Sequence, residues 1–167
     1  ETDTGRPTVV WELLAGNAAA LFALLAGISV ALITGANNPH QGRRMRRSRV
    51  SLVTRAILIL LLGLAISELP LRVFNILPYY GLMFLAAVLL TGMRIRNLLI
   101  TAGAFIVLGP LAIFALNSFV DYKGPANPNF TSLFTQPVET LLTLLAGGTY
   151  PVITWMAYIC VGMALGR

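Results

Sequence analysis

Long apolar runs alternate with short polar breaks along the chain, and the length of each run sets the element it predicts. A membrane-crossing helix needs about 20 apolar residues at 1.5 Å of rise each. Runs of that kind fall at about 9–33, 51–69, 77–93, 98–116 and 150–165. The first follows Pro7 and Thr8, residues suited to a helix start, and carries Trp11 where an interfacial anchor belongs. Within it Gly16, Ala20, Ala23, Gly27 and Ala31 recur every three or four residues. Such a stripe lets a second helix approach closely. Pro70 closes the second run, and Arg55 lies one turn inside it, able to reach back to the headgroups. Gly109-Pro110 interrupts the fourth run, where a kink is expected.

The polar breaks differ in kind. Gly35 to Ser48 reads as a loop opened by Asn37, Asn38 and Pro39 and loaded with arginine. Leu71–Ile76 is a short link, and Arg94–Asn97 a tight basic turn. Residues 117–148 form the one long polar connection. Inside it, Pro137-Val138-Glu139 followed by Leu141, Leu142, Leu144 and Leu145 predicts a short helix between Thr135 or Gln136 and Gly147-Gly148. That helix is too short to cross a bilayer, so it is expected in the interface or as a re-entrant segment. The predicted fold is all-α: a polytopic membrane bundle of about five transmembrane helices plus that short helix, in one domain over 1–167.

Composition narrows the class. Only 11% of residues are charged and 57% are hydrophobic, whereas a soluble domain carries about 25% charged residues. A soluble globular enzyme, a disordered tail and a disulfide scaffold are thereby excluded. The single cysteine, Cys160, excludes an intrachain disulfide and a thiolate-cluster metal site. No metal site, HExxH, G-x-S-x-G or glycine-rich phosphate loop is present. The chain starts at Glu1 without a basic n-region or cleavage site before the first run, so that run is no signal peptide, and a piece of a larger membrane protein is expected.

The net charge of +6 is an orientation mark rather than a general basicity. Arg43, Arg44, Arg46, Arg47 and Arg49 hold five of the twelve cations in one heptapeptide. With that segment (35–50) cytoplasmic, Arg94, Arg96 and Arg167 fall on the same side and Arg55 near it. Arg6, Arg72 and Lys123 fall outside, with loop 117–148 extracytoplasmic. The expected location is a cell membrane. Anionic lipid headgroups or a nucleotide phosphate suit the arginines; nucleic acid does not, for want of a polar domain.

Polar residues at membrane depth are the candidates for chemistry. Glu12 and Asn17 lie in the first run, readable as an interfacial carboxylate and an interhelical hydrogen bond. A denser group is Glu68, Arg72, Asn75 and Tyr79, beside Pro78 and Tyr80. Glu68 and Arg72, four apart, suit an ion pair at a helix end or a polar wall that meets an extracytoplasmic substrate. His40, the one histidine, sits among the arginines with no nucleophile, acid or ligand partner, and reads as a loop residue.

Three stretches resemble the transmembrane acyltransferases related to heparan-alpha-glucosaminide N-acetyltransferase. The first is Leu21 to Ser29, with Phe22, Gly27 and Ser29 in that family's apolar helix pattern. The second is Arg55 to Gly63 followed by Asn75 to Leu82. The third is Gly148 to Tyr158, with Pro151 and Trp155, then Gly162 and Gly166-Arg167. The resemblance implies that acyl-CoA is a co-substrate held by Arg43, Arg44, Arg46, Arg47 and Arg49. Glu68, Arg72, Asn75, Tyr79 and Glu12 would face a glycan or glycolipid acceptor. It also implies a catalytic histidine on the outer side before the first helix. This chain has none there, nor the arginine that some relatives carry near Tyr79. The partners expected are the bilayer, the acceptor, the remaining part of the same protein and, as an open alternative, a second copy. A lipid or solute transporter and a scaffold subunit docking through the Gly/Ala stripe are the rival classes. A histidine encoded ahead of Glu1 favours the enzyme, an inverted repeat of the hydropathy pattern the transporter.

Overall fold

A computed structural model describes residues 9–70, 75–119 and 124–167, with side chains from Asn17 onward. Among the described residues there are seven helices and no strand. They are α1 (Val9–Ile33), α2 (Gly42–Ile66), α3 (Leu77–Leu90), α4 (Ile95–Phe119), α5 (Phe130–Thr135), α6 (Pro137–Leu145) and α7 (Val152–Leu165). Helices α2 and α4 are long and apolar enough to cross a membrane; 17–33, α3 and α7 are shorter apolar helices.

Helix α7 is the centre. It packs against α1, α4 and α3, while α2 lies outside, packed against α3. The buried apolar residues Ala23, Val30, Leu52, Met83, Ala87, Leu98, Ala102, Met156, Ile159 and Met163 form one cluster around it. The contact of α1 with α7 uses the small-residue stripe: Ala23, Gly27 and Ala31 are buried, and a Cβ on Gly27 would lie 3.0 Å from the Cα of Gly162. Backbones this close gain dispersion along the whole crossing, the main attraction between helices in an apolar medium. Gly162 faces Leu24 and Gly27, and Gly166 faces Ile28 and Ala31, so the two helices run parallel.

Several boundaries differ from the sequence expectation. The arginine-rich segment is not a loop beyond Gln41: α2 starts at Gly42 and carries all five arginines on its first two turns. Arginine is a good helix former, and no proline interrupts 42–51, so the apolar helix is simply prolonged into the polar zone. Helix α2 ends at Ile66 with Ser67 as its C-cap, before Pro70. The basic turn lies earlier than expected, since α4 already begins at Ile95, and α4 continues through Pro110 to Phe119. The long connection holds two short helices rather than one. The unexpected α5 is closed by a reciprocal cap, in which the Asn129 side chain accepts from the Ser132 N–H and the Ser132 hydroxyl accepts from the Asn129 N–H.

Candidate functional site

Hydrogen bonds gather the polar residues at two opposite ends of the bundle. At the first end, the turn between α3 and α4 is clasped from both sides. Arg49 donates through Nε to the Thr91 hydroxyl at 2.9 Å, and Arg167 donates to the carbonyls of Thr91, at 2.6 Å, and of Met93. Partial burial pulls the Arg167 guanidinium down from its ordinary pKa, yet arginine stays cationic throughout the accessible range. A cleft of about 530 Å³ opens beside this turn, lined by Gly92, Met93, Arg94, Arg96, Asn97 and Ile100. His40 lies at the same end. Its Nδ1–H donates to Ser48 Oγ at 2.9 Å, because the Ser48 hydroxyl proton is already given to the Ile33 carbonyl at 3.1 Å.

The five arginines expected to hold the donor have different neighbours in the structure. Arg49, though exposed, is hydrogen-bonded to Thr91, whereas Arg43, Arg46 and Arg47 line a separate cleft of about 480 Å³ with Val50 and Ser51. Arg44 is exposed and lines neither.

The second end joins α2, α3, α5, α6 and the start of α7. Asn75 is its knot. Its Nδ2 donates to the Gly63 carbonyl at 2.8 Å and to Ser67 Oγ at 3.0 Å, and its Oδ1 accepts from the Leu77 N–H at 3.0 Å. Its own N–H donates to Asn127 Oδ1 at 3.1 Å. The amide thus spends both side-chain protons on the chain itself and fixes the α2–α3 corner to the loop at 127. Glu68, by contrast, is exposed, and accepts from the Thr131 N–H at 2.7 Å and its hydroxyl at 3.3 Å. Arg72 and the side chain of Glu12 lie outside the described residues, as does the Glu68–Arg72 pairing.

Tyr79 is buried at the start of α3. Its ring meets Tyr150 edge-on at 5.8 Å, Tyr150 meets Trp155 at 5.2 Å, and Trp155 meets Tyr158 at 5.5 Å. The ladder leads from the polar end into an apolar groove of about 590 Å³ between α1, α4 and α7, whose lining includes Leu24, Phe105, Pro110, Trp155 and Tyr158. Gly148 is bound to this arrangement twice over. Its φ of +64° suits glycine, and a side chain there would run into the Tyr79 hydroxyl. In the sequence Gly148 reads as a helix end, Tyr150 as the start of the last apolar run, and both, with Trp155, as parts of the third resembling stretch; their meeting with Tyr79 is not legible there. Thr140, fully buried on α6, has no hydrogen-bond partner for its hydroxyl among the described residues, and nothing in the sequence marks it.

Among the described residues no group of three or more His, Cys, Asp or Glu is placed to hold a metal ion. No curated protein matches the chain. No solved structure matches it. The family model described as "Heparan-alpha-glucosaminide N-acetyltransferase, catalytic" matches residues 2–167, almost the whole sequence, and the chain belongs to that family.

Proposed function

We propose that this chain is the membrane-embedded body of an acyltransferase, taking an acetyl or related acyl group from CoA at the arginine end and passing it to a glycan or glycolipid at the opposite end. The observation that carries the reading is the family match over residues 2–167. Two features support it. The composition is that of a membrane protein, and helices α2 and α4, at 25 residues and about 37 Å each, are long and apolar enough to cross a bilayer. The polar groups also collect at the two ends instead of along the middle.

By the positive-inside rule the arginine end faces the cytoplasm, where CoA is found, and the Glu68 end faces outward. In the reaction the acceptor amine or hydroxyl attacks the thioester carbonyl, the C–S bond breaks, and the CoA thiol leaves with the acceptor's proton. Arg94 and Arg96, open to the cleft at the α3–α4 turn, attract the nucleotide phosphates, with Arg49 and Arg167 holding the turn in shape. Glu68 orients an acceptor hydroxyl or amine, and the Tyr150 and Trp155 rings offer an apolar face to a sugar. Asn75 positions the corner that presents Glu68. His40, bonded to Ser48 at the arginine end, is given no chemical role. The test is transfer of labelled acetyl from acetyl-CoA to a glucosaminide by the intact protein in vesicles. Label on the acceptor amine supports the reading; CoA bound without any transfer, to glycan or lipid, overturns it.

A further inference from the structure

We propose that the outward face of α2 binds the headgroup of an anionic phospholipid whose chains lie along the same helix face. The proposal rests on the reading that α2 crosses a membrane. Arg43, Arg46, Arg47, Val50 and Ser51 line one cleft, and their spacing of three and four places them on one side of the helix. The same side continues through Ile57, Leu58, Leu61 and Leu62, all exposed, with Leu58 at 61% and Val50 at 59%. The other side, with Leu52, Ala56, Gly63 and Leu64, is buried and packs against α3.

The face therefore has a cationic top and an apolar stem. From Val50 to Leu61 the helix rises about 16 Å, close to half of a hydrocarbon core about 30 Å thick, which is the depth of one leaflet. Among the described residues no carboxylate lies beside these arginines, since Glu68 is bonded to Thr131 and Glu139 lies on α6. The sequence has no Asp or Glu between Glu12 and Glu68 or between Glu68 and Asp121, and Glu68 and Glu139 belong to the opposite end. A phosphodiester supplies that charge with oxygens that guanidinium groups bind well. A soluble nucleotide supplies phosphate alone, whereas a phospholipid also matches the stem. This separates the face from the α3–α4 turn, where Arg94 and Arg96 border a polar cleft.

The test uses the protein in vesicles of phosphatidylcholine carrying chain-labelled phosphatidylglycerol or phosphatidylcholine, with the motionally restricted fraction read by electron spin resonance. Wild type is expected to prefer phosphatidylglycerol about 3–5-fold. The preference should fall to near unity in R43Q/R46Q/R47Q, persist in R94Q/R96Q, shrink in wild type at high salt, and survive saturating CoA. Glutamine keeps helix propensity, and an unchanged restricted phosphatidylcholine fraction certifies that the triple variant is folded and embedded. Absence of preference in wild type overturns the proposal, as does a preference that the triple variant keeps or that CoA abolishes; the last result assigns the face to nucleotide phosphates. Failure of the membrane reading looks different, since no restricted component would then appear for either lipid.

Discussion

Glu68, just past the end of α2, accepts a 2.7 Å hydrogen bond from the backbone N–H of Thr131 and a 3.3 Å bond from its hydroxyl. A carboxylate 63 residues away in sequence thus ties α5 to the α2–α3 corner while remaining exposed. Two roles follow, and they separate by substitution. Glu68→Gln keeps a carbonyl oxygen for Thr131 but removes the charge. Its expected effect is a fall of about 10-fold or more in kcat/KM for the acceptor, because a charged acceptor holds a hydroxyl or amine more strongly than a neutral one, with the melting temperature little changed, because the bonds to Thr131 are exposed and the amide oxygen still accepts them. Unchanged turnover in Glu68→Gln removes Glu68 from the acceptor site and leaves it a loop tether.

Asn75→Ala should act through stability instead. It strands the Gly63 carbonyl and the Leu77 N–H, and an unmet buried group costs about 1–3 kcal/mol. Asn75→Asp should not rescue it, because the carboxylate has no N–H to donate to Gly63 and Ser67. Thermal unfolding in detergent checks both; a melting temperature equal to wild type in Asn75→Ala would mean that the corner is held by other contacts.

The α1–α7 crossing offers a controlled comparison between glycines. A methyl group at Gly162 would meet the Leu24 carbonyl and the Gly27 Cα, whereas at Gly103 it would meet nothing within 4 Å. Gly162→Ala is expected to destabilise the bundle strongly. Gly103→Ala should be neutral or stabilising by up to about 1 kcal/mol, from helix propensity. Equal melting temperatures for the two variants would contradict the packing of α7 on α1.

Hydropathy made the helices legible because each apolar run needs burial or lipid along its whole length, and the runs at 9–33, 77–93 and 150–165 ended within a few residues of α1, α3 and α7. It could not show that α7, among the shortest of these helices, is the centre, since an all-apolar sequence does not tell a lipid-facing side from a packed one. The arginines of α2 looked like loop because polarity and loop are easily conflated, while the helix itself needs only backbone hydrogen bonds and tolerant side chains. Asn75 was recognisable as unusual, but its four partners come from Gly63, Ser67, Leu77 and Asn127, contacts that only the folded corner creates. The helix α5 was signalled by Asn129 and Ser132 three apart, a cap too common in loops to predict six helical residues.

At the arginine end, Arg94→Gln with Arg96→Gln should raise KM for acetyl-CoA by about 10-fold while leaving acceptor KM unchanged. The wild-type KM should itself rise with ionic strength, because exposed charges are screened within about 10 Å at 0.1 M salt. Arg167→Lys should lose stability as well, because an ammonium cannot span the Thr91 and Met93 carbonyls as the guanidinium fork does. A donor KM indifferent to both glutamines places the nucleotide elsewhere.

The most direct measurement is of sidedness. The intact protein is reconstituted into sealed vesicles, with orientation fixed by labelling Gln41→Cys and Thr149→Cys with an impermeant thiol reagent, Cys160 being buried. Radiolabelled acetyl-CoA is then confined to the Gln41 side and a membrane-impermeant glucosaminide to the Thr149 side. The expected result is acetylated acceptor formed only when the donor is on the Gln41 side, with the two engineered cysteines labelled from opposite faces. Product formed only with both substrates on one side, or both cysteines labelled from the same face, contradicts a donor and an acceptor received at opposite ends of the bundle.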